Sequence, residues 1–468
     1  MTPAHQLPPG PQNPLGIGVF LNLMDERRLQ FLLRNREQFG DIASFQVGPR
    51  RVYQLNHPDY IRYVLVENPA AFYKSPNLKK AARETIGEGL LTSDGEFHRR
   101  QRKLAQPAFH HKRIAGYAEV MTRYTTSLLD GWQMGASYDM SHEMMTLTMR
   151  IVARTLFDAD VQDASAIGEA ISLGIETTAQ RIVRPNDWWL KLPTRRNRQR
   201  RAASALLEKT IMGFIAERRR TGEDKGDLLS MLLMVVDEDD GGSMTDQQAR
   251  DEAMTLFIAG HETTANALTW ALYLLATHPA VEARLVEELQ TVLSGRTPTF
   301  ADLPRLTYTN QVINETMRLY PPAWTITREA QETVEIGGYT IPKGSIVMMS
   351  QYVMHRDPRW WSLPDSFQPE RFNPGWEETV PKYAYFPFGG GPRICIGNQF
   401  AGMEAVLILA TLLSRVHLGL VPEQRIALAP MVTLRPKYGM QMQVNPRPPI
   451  QAQVLAEAVT MTPETISC

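Results

Sequence analysis

Apolar residues recur at three-to-four spacing along much of this chain, a period that predicts helices. The clearest runs are YAEVMTRYTTSLLDGW (117–132), HEMMTLTMRIVARTLF (142–157) and AASALLEKTIMGFIAERRR (202–220). Strand signals are confined to two places. IASFQVGPRRVYQLN (42–56) alternates on both sides of Gly48-Pro49 and predicts a strand pair. ETVEIGGYTIPKGSIVMMSQYVMH (332–355) carries further strand signals, with turns at Gly337-Gly338 and Pro342-Lys343-Gly344. The expected fold class is mainly α with small β-sheets, the β-rich parts lying near 40–60 and 332–355. No fixed-period repeat and no flexible linker divides the chain. A single domain over 1–445 is expected, with a proline-bearing, weakly patterned tail at 446–468.

The longest helical pattern is MTDQQARDEAMTLFIAGHETTANALTWALYLLATHP (244–279). Thr245 with Gln248 three residues later reads as a capping box, and Pro279 falls just past the end. Some thirty residues at ~1.5 Å each would cross the whole molecule. Being apolar on most sides, this helix should be central. Its middle contradicts that burial, because AGHETT places Gly260, Glu262, Thr263 and Thr264 inside the apolar run. A mid-helix glycine costs ~1 kcal/mol against alanine, and a buried carboxylate without a partner costs several times more. Two readings follow. Threonine hydroxyls could bond back to i−4 carbonyls at a water-lined bend, or the helix could open locally so that polar groups handle protons beside a reactive centre. His261-Glu262 begins a zinc-protease pattern, but Ala265 stands where the second histidine is required, and zinc is excluded.

Composition narrows the setting. With 43% hydrophobic residues over 468 positions the chain can bury a large core. Lys+Arg equals Asp+Glu at 50 each, so no overall field draws nucleic acid or an anionic surface. Two cysteines, Cys395 and Cys468, exclude a disulfide framework and suggest a reducing compartment. Nothing approaches ~18 consecutive apolar residues and no signal peptide is visible. A cytoplasmic, soluble protein without a membrane anchor is expected. DEDDGGS (237–243) reads as a solvated loop, and RPNDWWLKLPTRRNRQRR (184–201) as a surface loop leading into a basic helix start.

The chemistry gathers at FPFGGGPRICIG (386–397). The sequence after Cys395 reads as a helix, so the thiol sits near a helix N-terminus, where dipole and free amides lower a thiol pKa. Gly389, Gly390, Gly391 and Gly397 let backbone N–H groups approach the sulfur, and Arg393 adds positive charge. A thiolate needs an electrophile or a metal. No histidine base is near in sequence, and no second cysteine completes a zinc site. An axial thiolate to haem iron requires one cysteine only.

FGGGPRICIG (388–397) resembles the haem-binding signature of the cytochrome P450 family at every fixed place. AGHETT resembles the family's oxygen-activating segment, ETMR (315–318) its glutamate-x-x-arginine motif, and FQPERF (367–372) the segment that supplies a further arginine. The four occur in the family's order, and the likeness runs from about residue 30 to 445. It implies the cytochrome P450 fold, with haem b held between the long central helix and the helix following the cysteine loop. Cys395 is then the iron ligand, Phe388 shields the sulfur, Gly397 belongs to the loop, and Arg393 partners a haem propionate. In GEFHRRQRKL (95–104) the family's tryptophan is replaced by His98, with Arg102 four residues on; both, and His355 in MHRDP, are propionate candidates. Glu315, Arg318 and Arg371 form a buried bracing trio. Glu262 and Thr263 form an acid–alcohol pair that supplies protons during dioxygen activation.

The implied activity is monooxygenation, with one oxygen atom of O2 inserted into a C–H bond. Phe257, Ile258, Ala259, Thr263, Ala323 and Thr325 are expected to line the substrate pocket. Their apolar character suggests a hydrophobic substrate such as a fatty acid, terpenoid or steroid. The chain has no dinucleotide fingerprint and no length for a flavin domain, so electrons from NAD(P)H must arrive through a separate ferredoxin or flavodoxin with its reductase. HRRQRK (98–103) and HHKR (110–113) read either as a docking face for an acidic donor or as solvated helix faces. No nucleic acid partner is expected, and the protein should be a monomer. Peroxide-driven hydroxylation, redox-neutral rearrangement and a haem-thiolate sensor are the rival readings.

Overall fold

The computed structural model describes residues 7–11, 19, 22–23, 27–160, 163–183, 186–234 and 244–447. The acidic run at 237–243, Cys468, most of the tail and the first residues of the 184–201 segment lie outside them. The described chain is mostly helix with small sheets.

The alternating segment at 42–56 forms antiparallel strands β1 (Ile42–Val47) and β2 (Arg50–Leu55). Gly48 turns between them at φ +58° with open space where a Cβ would stand. β3 (Phe72–Lys74), β4 (Ile326–Ala330) and β5 (Ile346–Met349) complete a five-stranded sheet in the order β1-β2-β5-β4-β3. The 332–355 segment is strand only in part: Gln351–Met354 turns into a short helix, capped by the Ser350 hydroxyl. The period-two signal there overran because buried residues on all sides of a short helix look like a strand face.

The long helix runs Asp246–Thr277, 32 residues. Its capping box is present: Thr245 Oγ1 accepts from Gln248 N at 3.2 Å, and Gln248 Oε1 accepts from Thr245 N at 2.9 Å. Pro279, read as a stop, also opens the next helix, Pro279–Leu293. The long helix is continuous through Gly260. There is no local opening; Thr263 Oγ1 bonds back to Ala259 O at 2.9 Å, so the hydroxyl satisfies the polar interruption locally. It packs on the helices Met140–Phe157, Thr307–Leu319 and Asn398–Arg415 (the cysteine helix) within one large apolar core. A second core lies against the main sheet.

Candidate haem-binding site

The cysteine loop is held by contacts that leave little freedom. Cys395 N–H donates to Phe388 O at 3.0 Å, closing the loop on itself. Gly391 sits at φ +65°, and a Cβ there would lie 1.8 Å from the carbonyl oxygen of Leu65. Glycine is therefore required for two independent reasons, conformation and close approach. Gly397 caps the cysteine helix, and its backbone N–H is directed at the Cys395 sulfur.

Cys395 is exposed, yet it lies deep enough that burial pushes its thiol pKa up, against the opposing pull of the Gly397 amide and Arg102. The two observations agree if the opening faces interior space rather than bulk water. Ala259, in the middle of the otherwise buried long helix, is likewise exposed. The expected lowering of the pKa by the helix terminus is thus corrected: desolvation outweighs the dipole and the nearby guanidinium. A metal ion would reverse the balance, because a coordinating thiol is deprotonated by the ion's own charge.

A group of cations lies beside the loop. Arg102 Nη1 donates to Ile394 O at 2.7 Å. Arg393 Nη2 meets Asp94 Oδ1 at 2.6 Å and Nη1 donates to Ser93 O at 3.1 Å. Lys79 shares the same Asp94. His98 is buried; burial, then Lys74, Arg393 and Arg102, lower its pKa to about 3. Lys74 is buried with its ammonium on Leu90 O, its pKa well below the usual value through burial and the charges of Arg328 and Arg393. Arg328 is lowered to about 10, by burial and then Arg393. Lys74 and Arg328 stand directly opposite each other on β3 and β4, a like-charge pairing that destabilises a sheet unless an anion compensates. So many cations around only two carboxylates, Asp94 and Glu252, fit the two propionates of haem.

The bracing trio is assembled. Arg318 Nε and Nη2 donate to Glu315 Oε2 and Oε1 at 2.6 and 2.8 Å, and Arg371 Nε reaches Glu315 Oε1 at 3.3 Å. Arg318 also donates to the carbonyls of His355, Pro364 and Ser366 at 2.8, 2.6 and 3.0 Å. All five guanidinium N–H groups are thereby used, which is how a 0% exposed arginine is tolerated.

Three expected placements change. His355 does not join the cations: it is fully buried, and its Nε2 accepts the Phe386 N–H at 3.0 Å. It holds the start of the cysteine loop instead, its pKa lowered to about 3 by burial and by Arg318. Phe257 is 1% exposed and packs edge-on against Phe157, 5.7 Å between centroids. Two residues along a helix is about 200°, so it faces away from Ala259. Glu262 and Thr263 are not paired with each other. Glu262 is buried, accepts from Thr433 Oγ1 at 2.5 Å, and has its pKa raised by burial against the opposing Arg435, Thr433 and Asn266. Ile258, Ala323 and Thr325 are partly open, as is Thr263.

Lys74, Arg328, Thr433 and Arg435 were not singled out from sequence. For Arg328 a signal existed, a charge at the strand position shared with Ile326 and Ala330; for the others the contact is purely tertiary.

An accessible thiol on a glycine loop, opening a helix that packs on the central helix and flanked by cations, is the arrangement expected of a haem-thiolate protein. Comparison with known proteins agrees: the Cytochrome P450 family model matches residues 8–444. Cyclooctatin synthase of Streptomyces melanosporofaciens is 42% identical over 415 residues, covering 88% of this chain and 90% of that protein. Cyclooctat-9-en-7-ol 5-monooxygenase of the same organism is 40% identical, covering 85% and 86%. Pentalenene oxygenase of Streptomyces avermitilis is 34% identical, covering 91% and 94%. The chain belongs to the cytochrome P450 family and is an oxidoreductase of the monooxygenase type. No helix among the described residues is long and apolar enough to cross a membrane.

Proposed function

We propose that this chain hydroxylates a terpenoid hydrocarbon or its alcohol, with electrons from a separate ferredoxin or flavodoxin and its reductase. One oxygen atom of O2 enters the C–H bond and the other leaves as water, consuming two electrons and two protons. Of the substrate classes open from the sequence, the names of the similar proteins favour terpenoids. The whole of 1–445 serves as one catalytic domain on this reading.

When bound, haem supplies a redox-active iron whose thiolate ligand favours O–O cleavage. The protein's part is positional and electrostatic. Cys395 provides the ligand; the Gly397 N–H and Arg102 moderate the sulfur's charge; Lys74, His98, Arg102, Arg328 and Arg393 receive the propionates. Glu262 holds a proton near the dioxygen side, and the Thr263 hydroxyl, whose one O–H is given to Ala259 O, keeps its oxygen lone pairs to accept there and donates only when that helix bond is released. Ile258, Ala259, Ala323 and Thr325 give an apolar surface that excludes water from the reacting carbon.

The observation that carries this reading is the accessible, enclosed Cys395 thiol. The test is the Soret band of the reduced, carbon-monoxide-bound protein, followed by titration with terpenoid hydrocarbons, fatty acids and steroids. The parent should show thiolate ligation, Cys395→Ser should lose it, and terpenoids should give the largest spectral shift. A Soret band unchanged by Cys395→Ser overturns the ligation, and a response to fatty acids or steroids alone overturns the substrate class.

A further inference from the structure

The C-terminal hairpin, Leu428–Pro430 with Leu434–Pro436, reaches back to the polar middle of the long helix. At its turn the Thr433 hydroxyl donates to Glu262 Oε1 at 2.5 Å, the short length of a charge-assisted O–H···O bond. Thr433 Oγ1 in turn accepts from Asn266 Nδ2 at 3.3 Å. Glu262 is only 2% exposed, so no water reaches it freely. Asn266 and Arg435, however, both line a cavity of about 740 Å³. Its other walls include Asp139, His142, Glu169 and Lys437. A space of that size with so many polar and charged groups holds ordered water rather than staying dry. Thr433 is itself buried and is joined to that cavity through Asn266, which lines it, so a chain of contacts runs from the cavity through Asn266 and Thr433 to the acid.

Resting on the haem-thiolate reading above, we propose that the C-terminal hairpin is the proton inlet of this enzyme: Thr433 relays protons from the cavity to Glu262, and Arg435 sets the acid's proton affinity. In the step, the Thr433 O–H bond breaks toward Glu262 Oε1 while the Thr433 oxygen takes a proton from a hydronium ion that has moved in from the cavity past Asn266. The hydronium becomes water, the carboxylate becomes a carboxylic acid, and the threonine is unchanged. Arg435, two residues beyond Thr433 in the hairpin and lining the cavity with Asn266, is the hairpin cation whose charge acts on Glu262. On the long helix itself His261 turns its Nδ1 to Phe257 O at 3.2 Å. On the cysteine helix Glu404, fully buried, lies against Thr264.

The experiment uses the holoenzyme and the variants Thr433→Val, Thr433→Ser and Arg435→Gln. Readouts are the solvent isotope effect on turnover, product formed per NAD(P)H, and the infrared titration of the protonated Glu262 carboxyl, identified by its loss in Glu262→Gln. Thr433→Val, which keeps the shape and removes the hydroxyl, should raise the isotope effect and lower coupling several-fold, and Thr433→Ser should restore both. Arg435→Gln should move the carboxyl midpoint upward, because a cation that favours the ionised form is gone. Parent-like isotope effect and coupling in Thr433→Val overturn the relay, and an unmoved midpoint in Arg435→Gln overturns the tuning. If Thr433→Val fails to bind haem, the relay stands or falls on Thr433→Ser, which must match the parent in both readouts. A parent with an intact thiolate Soret band but a Thr433→Val variant that behaves like it in both readouts sinks the inlet alone; absence of that band in the parent sinks the haem-thiolate reading instead.

Discussion

His355 illustrates how much a single acceptor lone pair can decide. Its Nε2 takes the Phe386 N–H only while the ring is neutral. The folded pKa, about 3, is depressed below the ordinary value near 6.5. A group with a depressed folded pKa contributes stability that is present above its unfolded pKa and is lost as pH falls. Acidification from about pH 6.5 toward 3 should therefore weaken the fold at the start of the cysteine loop, with buried His98 adding to the loss. His355→Asn, whose amide oxygen still accepts from Phe386 and does not titrate, should flatten this slope in urea midpoints measured across that range. A slope identical to the parent's would show that protonation of His355 is not coupled to unfolding.

At the scale of elements, glycines that look alike in sequence differ sharply in consequence. Gly48 and Gly391 both have positive φ, but only Gly391 abuts another backbone. Gly48→Ala should cost on the order of 1–2 kcal/mol from the left-handed conformation alone. Gly391→Ala adds an overlap with the Leu65 carbonyl that no side chain can relieve, and should cost at least about 3 kcal/mol and abolish haem retention. Urea midpoints and haem content of the two variants check this; equal losses would refute the close approach as the deciding factor.

The same contrast explains what could be read before the structure. The cysteine loop, the capping box of the long helix and the Glu315/Arg318 spacing are local patterns, each complete within a dozen or so residues, and the long helix is a continuous periodic run; all stand where their patterns placed them. Phe257 went astray because a helix buried on most sides gives no periodic cue to which face meets a cofactor. His355 went astray because a histidine in a turn carries the same signal whether it meets an anion or a backbone N–H. Lys74 facing Arg328, and Thr433 reaching Glu262, join segments 254 and 171 positions apart, and no window along the chain contains both partners.

At the scale of the whole molecule, neutrality overall conceals a directional charge distribution. A second cavity, about 1000 Å³, is lined by Arg99, Arg102, Lys103, His110 and Arg393 beside the cysteine loop. Arg99 and Lys103 are exposed, Arg99 in an ion pair with Glu96 of the same lining, so net positive charge borders the face beside the cysteine loop. An acidic electron donor should be steered there, with its association rate falling about tenfold or more between low and high ionic strength. Lys103→Glu should lower the low-salt rate and leave the high-salt rate nearly unchanged in stopped-flow reduction. A rate independent of salt would remove steering from the account.

The cross-strand juxtaposition of Lys74 and Arg328 has one more implication. Two chain segments far apart in sequence are zipped together where two cations meet and Asp94 and Glu252 offset only part of their repulsion, so the porphyrin carboxylates would stabilise this sheet edge. Prosthetic-group binding then adds to the stability of this seam by mass action, and thermal resistance becomes a function of how much cofactor is available.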